Sequence, residues 1–329
     1  MTGKEFLRRW RLDIVRGVVI LGVVFGIGML VVSMVGRGRA AVNDWGHQFA
    51  TGFHGDRMHG QPWTYAKPLA PDQTLWLRNI NGSITVTPSE AGQVEIHADR
   101  MFKRSSVDSV RIITAESDRG LTVCVLRVGA GSCESDGHFK STGNMNGNDV
   151  EVAFDVKLPR GVRLDASTVT GDVSVDGASA PVEAATITGD VTVETANGPV
   201  TATTVTGDAH ATIRALSGPG DVKVTTVTGD AQVDLPSGID AVVDGHTVAG
   251  DINSEFPLTV VGKFASHSLS GTLGKGGRQV HITTVTGDVD VRETGAAPDA
   301  PVIAPSPPPQ HRPAPPAGRP TPRPRSGTT

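Results

Sequence analysis

A five-residue motif, TVTGD, recurs through the second half of this chain and restricts its fold more than any other feature. The motif begins at Thr168 and returns with small changes at six further positions: TITGD at 186, TVTGD at 204, 226 and 284, TVAGD at 247 and SLSGT at 268. Successive copies are separated by 18, 18, 22, 21, 21 and 16 residues. A period of roughly 20 residues is typical of repeat proteins in which each unit packs against its neighbours.

Each repeat unit contains two predicted β-strands. Alternating apolar and polar residues follow the Asp of the motif, a turn with glycine such as Asp176-Gly177 or Ser237-Gly238 comes next, and a second strand leads back to the motif. Two short strands bury no face alone, but coils stacked at ~4.8 Å pair every strand with its copies. The sequence therefore predicts an all-β fold, a single-domain parallel β-solenoid (a β-helix), right-handed by analogy.

The motif itself predicts a corner between two strands. Because side chains alternate along a strand, we expect the middle aliphatic residue to point inward and the flanking threonines to point outward. Glycine permits a positive φ or a close approach of two backbones, and the Asp carboxylate accepts hydrogen bonds from N–H groups at the corner. The middle residues are Val169, Ile187, Val205, Val227, Val248, Leu269 and Val285.

The segment before the repeats is also rich in β-prone sequence. It contains the runs QVEIHA, SVRIITA, GLTVCVLRV and DVEVAFDVKLP, and Asn81-Gly82 is a turn signal between two more. We assign residues 72–164 to N-terminal strands or first coils of the solenoid, and residues 165–295 to the TxTGD repeats.

The N-terminus predicts a membrane anchor. Residues 17–36 read GVVILGVVFGIGMLVVSMVG, twenty residues without a charge, and at about 1.5 Å per residue they span a ~30 Å hydrocarbon layer. The basic segment 1–16 precedes them, which predicts a cytoplasmic N-terminus, a linker over 37–71, and a body outside the cytoplasm, periplasmic or extracellular. A cleaved signal peptide is the alternative, because Gly38-Arg39-Ala40 fits a cleavage site.

Charge is distributed unevenly along the chain. The net charge is −4, but residues 1–40 carry +5 and residues 296–329 carry +3, which leaves −12 for the middle. An acidic body argues against nucleic acid as a partner. Residues 296–329 contain twelve prolines and cannot continue a sheet, so they predict a disordered tail.

The motif aspartates are candidate metal ligands. If the repeats stack, these carboxylates lie about 5 Å apart and repel each other, so either hydrogen bonds or a cation such as calcium must stabilise them. The nonapeptide GGxGxDx of calcium-binding β-rolls is absent. We therefore expect corner residues first and a calcium site second, with no other cofactor. The candidates on consecutive coils are Asp172, Asp190, Asp208, Asp230 and Asp251.

Two cysteines, Cys124 and Cys133, are the only ones in the chain. Outside the cytoplasm a disulfide between them is allowed, and two buried thiols are the alternative.

Signals for an enzyme are missing from the sequence. The chain has no GxSxG, HExxH or P-loop motif. Residues 165–293 contain two aromatic residues, Phe256 and Phe264, and no Trp or Tyr that would stack on a sugar ring. These absences predict a protein that is not an enzyme and does not bind glycans through aromatic residues of the repeats.

Three stretches resemble a bacterial family of putative adhesin domains of unknown function: NINGSITV at 79–86, DVKLPRGVRLDASTVTGDVSV at 155–175, and the repeated TVTGDV. The resemblance covers roughly residues 72–293. It implies an exported β-solenoid that is tethered to a membrane at one end, and it supplies no catalytic residues.

We therefore predict a membrane-anchored, non-enzymatic binding or adhesin-like module at the cell envelope, whose partner is an unknown protein or envelope component. One alternative is a structural scaffold or envelope-stress component that self-associates. A further alternative is a calcium-stabilised surface protein similar to a β-roll.

Overall fold

The structure, a computed structural model, describes residues 57–129, 131–140, 148–195, 198–215, 220–263 and 266–294. Within these ranges it contains strands and one short 3-10 helix, Val107–Ser109, which confirms the all-β prediction. No helix in these ranges is long and apolar enough to span a bilayer. The predicted anchor at 17–36, most of the linker and the tail at 296–329 lie outside the described residues.

Twenty-four strands are distributed along these ranges. They are β1 Met58–His59, β2 Trp63–Pro68, β3 Thr74–Arg78, β4 Ile84–Ser89, β5 Gln93–Phe102, β6 Val110–Ser117, β7 Gly120–Arg127, β8 Ser132–Cys133, β9 Phe139–Lys140, β10 Glu151–Pro159, β11 Arg163–Ser167, β12 Val173–Ala178, β13 Val182–Ala185, β14 Val191–Thr195, β15 Val200–Thr203, β16 Ala209–Ile213, β17 Val222–Thr225, β18 Ala231–Pro236, β19 Ala241–Thr247, β20 Ile252–Ser254, β21 Thr259–Lys263, β22 Ser266–Leu273, β23 Arg278–Thr283 and β24 Val289–Thr294.

Two large sheets contain all of these strands except β8 and β9, which pair with each other. Sheet A has the order β1-β5-β10-β4-β12-β14-β16-β18-β24-β20, with β2 also paired to β5. Sheet B has the order β21-β22-β19-β23-β17-β15-β13-β11-β3-β7-β6. Each repeat unit contributes one strand to each sheet, so each TxTGD motif lies where the chain passes from sheet B to sheet A.

Both large sheets are mixed. The repeat strands pair in parallel and in register, as Val191 does with Ala209 between β14 and β16. Antiparallel pairs lie towards the ends of the sheets: β5 with β1, β2 and β10, β6 with β7, and β22 with β19 and β21. The prediction of a uniformly parallel solenoid is therefore wrong at three of the four sheet ends in the described residues; at the fourth, β20 pairs in parallel with β24 and is an edge strand.

The coils do not stack in sequence order. Strand β23 lies between β17 and β19, and β24 lies between β18 and β20. The last motif copy, 284–288, is thus inserted between the copies that begin at Thr226 and Thr247, and Thr286 forms bridges on both sides. The SLSGT copy is no corner at all, because Ser268 and its neighbours lie within β22, antiparallel to β19.

The first coil begins before the recognisable repeats. The Asn81-Gly82 turn joins β3 in sheet B to β4 in sheet A, and Asn81 forms a parallel bridge with Thr170. The sequence NINGS at 79–83 therefore occupies the place of a TxTGD motif. Polar Asn side chains replace Thr there, and the Asn79 amide donates to the Val152 and Gly82 carbonyls at 2.8 and 3.0 Å.

The core lies between the sheets and consists mainly of small aliphatic side chains. In one coil, Val191, Val193, Val200 and Ala202 are fully buried, whereas Thr192 is exposed and Thr201 is half-buried. Burying one Val side chain stabilises a fold by roughly 1.5–3 kcal/mol. Each coil supplies only a few such residues, so the stability of this region accumulates from coil to coil.

Candidate functional site

The first threonine of each motif points into the protein, contrary to our prediction. Thr186 is 4% exposed, and its Oγ1 donates a 2.9 Å hydrogen bond to the carbonyl of Gly171 in the preceding coil. A buried hydroxyl requires such a partner, because leaving it unsatisfied costs about 1–3 kcal/mol. The same bond recurs from Thr168 to Gly82, Thr204 to Gly189, Thr226 to Gly207, Thr284 to Gly229 and Thr247 to Gly287.

The middle aliphatic residues instead form a row on the outside. Val169 is 40% and Val248 is 53% exposed, and the other members of the row are half-buried: Ile187, Val205, Val227 and Val285. The phase of the preceding strand explains this result. Val182 and Ala184 point inward in β13, and the alternation continues to Thr186. Our prediction reversed this phase because it gave the inward position to the apolar residue.

The motif aspartates form a second row next to the aliphatic one. Asp172 Oδ1 accepts a 2.9 Å hydrogen bond from the backbone N–H of Asp190, and each following pair repeats this bond. In the later pairs the backbone N–H donates to the Oδ1 of the preceding aspartate at 2.7–2.8 Å: Asp208 to Asp190, Asp230 to Asp208, Asp288 to Asp230 and Asp251 to Asp288. The five predicted candidates are therefore not on consecutive coils, because the inserted coil places Asp288 before Asp251.

These rows form one continuous surface, which we name the repeat edge. It consists of the middle aliphatic row, the aspartate row, and the exposed third motif residues Thr170, Thr188, Thr206, Thr228, Thr286 and Ala249. In the part of the chain that the structure describes, no three His, Cys, Asp or Glu side chains converge to hold a metal ion. Calcium binding by the aspartate row stays a prediction that a calcium titration tests.

A disulfide fixes a small hairpin on the outer face of sheet B. Cys124 in β7 is bonded to Cys133 in β8, with the two Cα atoms 6.0 Å apart. The β8–β9 hairpin also accepts a 3.1 Å hydrogen bond from Arg78 Nε to the Gly137 carbonyl. Gly137 packs so closely against the indole of Trp76 that a Cβ atom there would lie 2.3 Å from its Cδ1.

Next to this hairpin, the outer face of sheet B has a cavity of about 290 Å³. Its walls include Trp76, Asp165, Glu183 and Thr201, which are cross-strand neighbours on β3, β11, β13 and β15. Sequence reasoning missed Trp76, because the search for aromatic residues covered residues 165–293 alone. The spacing in the sequence could have identified it: Trp76 lies three positions before Asn79 of NINGS, and Asp165 lies three positions before Thr168 of TVTGD.

A larger, shallow groove of about 740 Å³ crosses the outer face of sheet A. Strands β2, β5, β10 and β4 form its floor. Its outward side chains include Glu95, His97, Asp155 and Lys157 together with several threonines. Asp155 and Lys157 form no ion pair within the described ranges. The groove combines these charged and hydroxyl groups with apolar surface, to which Tyr65 and Ala66 contribute.

A polar cluster around His210 is the nearest approach to catalytic geometry in the described residues. His210 Nε2 lies 2.8 Å from Asp234 Oδ2 and 3.3 Å from Thr212 Oγ1. Burial raises the pKa of Asp234, but hydrogen bonds from His210 and Gln232 outweigh it and hold this pKa below its usual 3.8. A relay of hydroxyl, imidazole and carboxylate uses both ring nitrogens. Here both partners meet the same nitrogen, so the cluster lacks that relay.

Comparison with solved structures and protein families finds similar chains. No curated protein matches the chain in sequence. A putative cell adhesion protein from Clostridium sporogenes is similar over 71% of this chain and 100% of its own, at 15% identity and a TM-score of 0.37. A putative adhesin from Bacteroides fragilis is similar over 71% of this chain and 97% of its own, at 10% identity and a TM-score of 0.25. The family model of Toastrack DUF4097 matches residues 72–292, and the chain therefore belongs to the Toastrack DUF4097 family.

Proposed function

We propose that this protein is a non-enzymatic, adhesin-like binding module of the cell envelope. The observation that carries the proposal is the repeat edge, where partly exposed Val or Ile residues, exposed threonines and aspartates recur in each coil that contains TVTGD or TITGD. A regular surface of this kind presents the same contacts many times, which suits a polymer or a multivalent partner. The similarity to proteins named as adhesins and the sequence's lack of catalytic motifs support it.

Retention on envelope fractions tests this proposal. The full chain, purified in detergent and immobilised, is incubated with solubilised envelope fractions, and the retained material is analysed. We expect retention that falls at least fivefold in a Val205→Ser, Val227→Ser double variant. A matched double variant on the outer sheet faces, Thr192→Ser with Lys223→Ser, retains as much as the wild type. If the two double variants retain equal amounts of envelope material, the repeat edge is not the binding surface.

We further propose that residues 17–36 anchor the chain in a membrane, with the body periplasmic or extracellular, and that the stacked coils wind as a right-handed β-solenoid. The uncharged N-terminal segment supports the anchor. Successive parallel strands of one sheet are connected through a strand of the other sheet. This supports right-handed winding, because a connection between parallel strands of the same sheet is right-handed in nearly all proteins. Protease added to cells from which any outer membrane has been removed should digest the body, and extraction at alkaline pH should leave the chain in the membrane. Release by alkali would contradict the anchor.

A second candidate function is a self-associating scaffold, which the last coil of the stack favours. Strands β20 and β21 are edge strands, and three of the exposed large apolar residues lie here: Val248, Val260 and Val261. An exposed apolar edge is a template for pairing with another chain. Under this alternative, light scattering shows oligomers that Val261→Lys dissociates. A monodisperse monomer at all concentrations would exclude it.

A further inference from the structure

The cavity beside Trp76 combines an aromatic wall with polar groups in a way that the adhesin-like function does not explain. Trp76 stands on the outer face of sheet B, where most neighbours are polar, and it is half-buried. Gly137 of the disulfide-linked hairpin lies over one face of the five-membered ring of the indole, where a Cβ atom would be 2.3 Å from Cδ1 and 2.6 Å from both Cγ and Nε1, and Trp76 also forms a wall of the cavity. The ring is thereby held in one orientation beside an open space.

The polar groups of this cavity are pre-organised. Both carboxylate oxygens of Asp165 accept from Arg78, at 2.7 and 2.6 Å, so Asp165 is held in place and its charge is balanced. Arg163 is paired more loosely with Asp72 at 3.4 Å. Within the described residues, the carboxylate of Glu183 and the hydroxyl of Thr201 have no hydrogen-bond partner. Two groups are thus available to bind a ligand next to a fixed aromatic ring.

These groups lie in a straight row across the sheet. Trp76 is paired with Asp165, Asp165 with Glu183, and Glu183 with Thr201. Strands are ~4.8 Å apart, so the row extends over about 14 Å, which is longer than one sugar ring. Pro181 and Pro199 close one side of the cavity.

We infer that this cavity is a binding site for a neutral glycan, with one pyranose ring placed against the indole of Trp76. The C–H groups on one face of a pyranose are weakly positive and are attracted to the negative face of an aromatic ring. The ring hydroxyls then donate to Glu183 and exchange hydrogen bonds with Thr201. A neutral ligand fits better than an acidic one, because the unpaired group here is a carboxylate and the middle of the chain has a net charge of −12.

The inference corrects our expectation that the repeats lack aromatic residues for sugar binding. That expectation counted aromatic residues in 165–293 alone, whereas the stack begins at β3 and includes Trp76. The proposed glycan site lies on sheet B and does not depend on the repeat edge.

The direct test follows the indole N–H of Trp76 by NMR. The full chain, labelled with ¹⁵N-tryptophan in detergent, is titrated with cellotetraose, a neutral β-linked glucose tetramer, and the Trp76 signal is assigned from its loss in Trp76→Phe. We expect a saturable shift of this signal and none for Trp63, whose ring stacks on Tyr65 at 5.8 Å. No shift at about 10 mM sugar, a concentration well above the Kd of weak binding, would overturn the inference.

Variants separate aromatic stacking from simple bulk. Trp76→Phe keeps a flat ring and should bind cellotetraose within about threefold of wild type, whereas Trp76→Leu should bind at least tenfold more weakly. Thr201→Ala should weaken binding severalfold, and Thr192→Ala, a change at an exposed threonine on sheet A, should leave it unchanged. Equal affinity in wild type and Trp76→Leu, with unchanged circular dichroism, would contradict the site.

The outcome is distinguishable from that of the proposed function. If envelope fractions retain the protein and sugar leaves the Trp76 signal unmoved, the adhesin-like function stands and the glycan site is wrong. If the Trp76 signal shifts but the immobilised protein retains no envelope material, the glycan site is supported and the adhesin-like function is wrong. A shift produced by the peptide 304–325 of the chain's own tail, and not by sugar, would make the cavity a peptide site and overturn the inference.

Discussion

The two corners of each coil connect the same two sheets but follow different rules. The corner that contains TxTGD has five residues in each of its copies from 168–172 to 226–230 and again at 284–288. The opposite corner has three residues between β12 and β13, four between β14 and β15, and eight between β16 and β17. The 22-residue step from 204 to 226 therefore comes from a longer opposite corner, whereas the 21-residue step from 226 to 247 comes from the longer strands β18 and β19 around a four-residue corner.

Backbone contact between coils explains this difference. At the TxTGD corner Gly207 has a φ of +135°, and a Cβ atom there would lie 2.1 Å from the carbonyl oxygen of Gly189. At the opposite corner Gly238 has a φ of +76°, and a Cβ atom would meet nothing within 4 Å. The comparison teaches that a repeated motif marks a place where backbones touch, and that it identifies a binding surface only when exposed residues repeat as well.

Insertion gives the largest expected contrast between the corners. Two residues, Gly-Ser, placed between Gly207 and Asp208 would break the hydrogen bonds to both adjacent coils, and we expect no cooperative unfolding transition. The same insertion between Ser237 and Gly238 lengthens a corner that already varies, and we expect the melting temperature to fall by only a few degrees. Circular dichroism melts measure both. Comparable melts for the two insertions would show that the corners do not differ.

Glycine replacement should separate the corners by a smaller amount. Gly207→Ala forces two backbones apart at a positive φ, and we expect a loss of about 3–5 kcal/mol in the free energy of unfolding. In Gly238→Ala the new methyl group has open space around it. We therefore expect the free energy of unfolding to fall by only about 1 kcal/mol, the cost of a positive φ for Ala. Urea unfolding compares the two variants, and a larger loss at Gly238 would refute the contact argument.

Threonine replacement distinguishes the two threonines within a single motif. Thr204→Val keeps the shape but removes the hydroxyl that donates to Gly189, so the carbonyl loses a partner and stability falls by about 1–3 kcal/mol. Thr206→Val changes an exposed position and should alter stability by less than about 0.5 kcal/mol. Equal effects would contradict the inward direction of the first threonine.

Calcium should produce the smallest effect. Asp208 Oδ1 already accepts the N–H of Asp230 at 2.8 Å, so we expect the melting temperature to change by no more than about one degree between saturating calcium and chelator. Asp208→Asn preserves an acceptor oxygen and should also be nearly neutral. A rise of several degrees with calcium that Asp208→Asn abolishes would instead identify the aspartate row as a calcium site.

Much of the fold follows from local sequence, and the exceptions have physical causes. The all-β fold and the strands of the β-prone runs are predictable because alternation and glycine turns are local signals. The phase at the motif was missed because burial of Thr186 depends on a carbonyl in another coil. The position of 284–288 was missed because register between coils is set by contacts distant in sequence. Trp76 was missed because Asn residues replace the motif threonines in its coil.

The inserted coil determines the order in which the chain can complete its fold. Strands β19 and β20 are synthesised before β23 and β24, the strands that connect them to the rest of the stack. Until β23 and β24 are synthesised, β17 and β18 are therefore the edge strands of the stack. Residues 241–273 have no neighbouring coil to pair with at that stage. Only the final described segment, 278–294, joins the two parts, so a chain cut short at residue 277 would lose two coils instead of one.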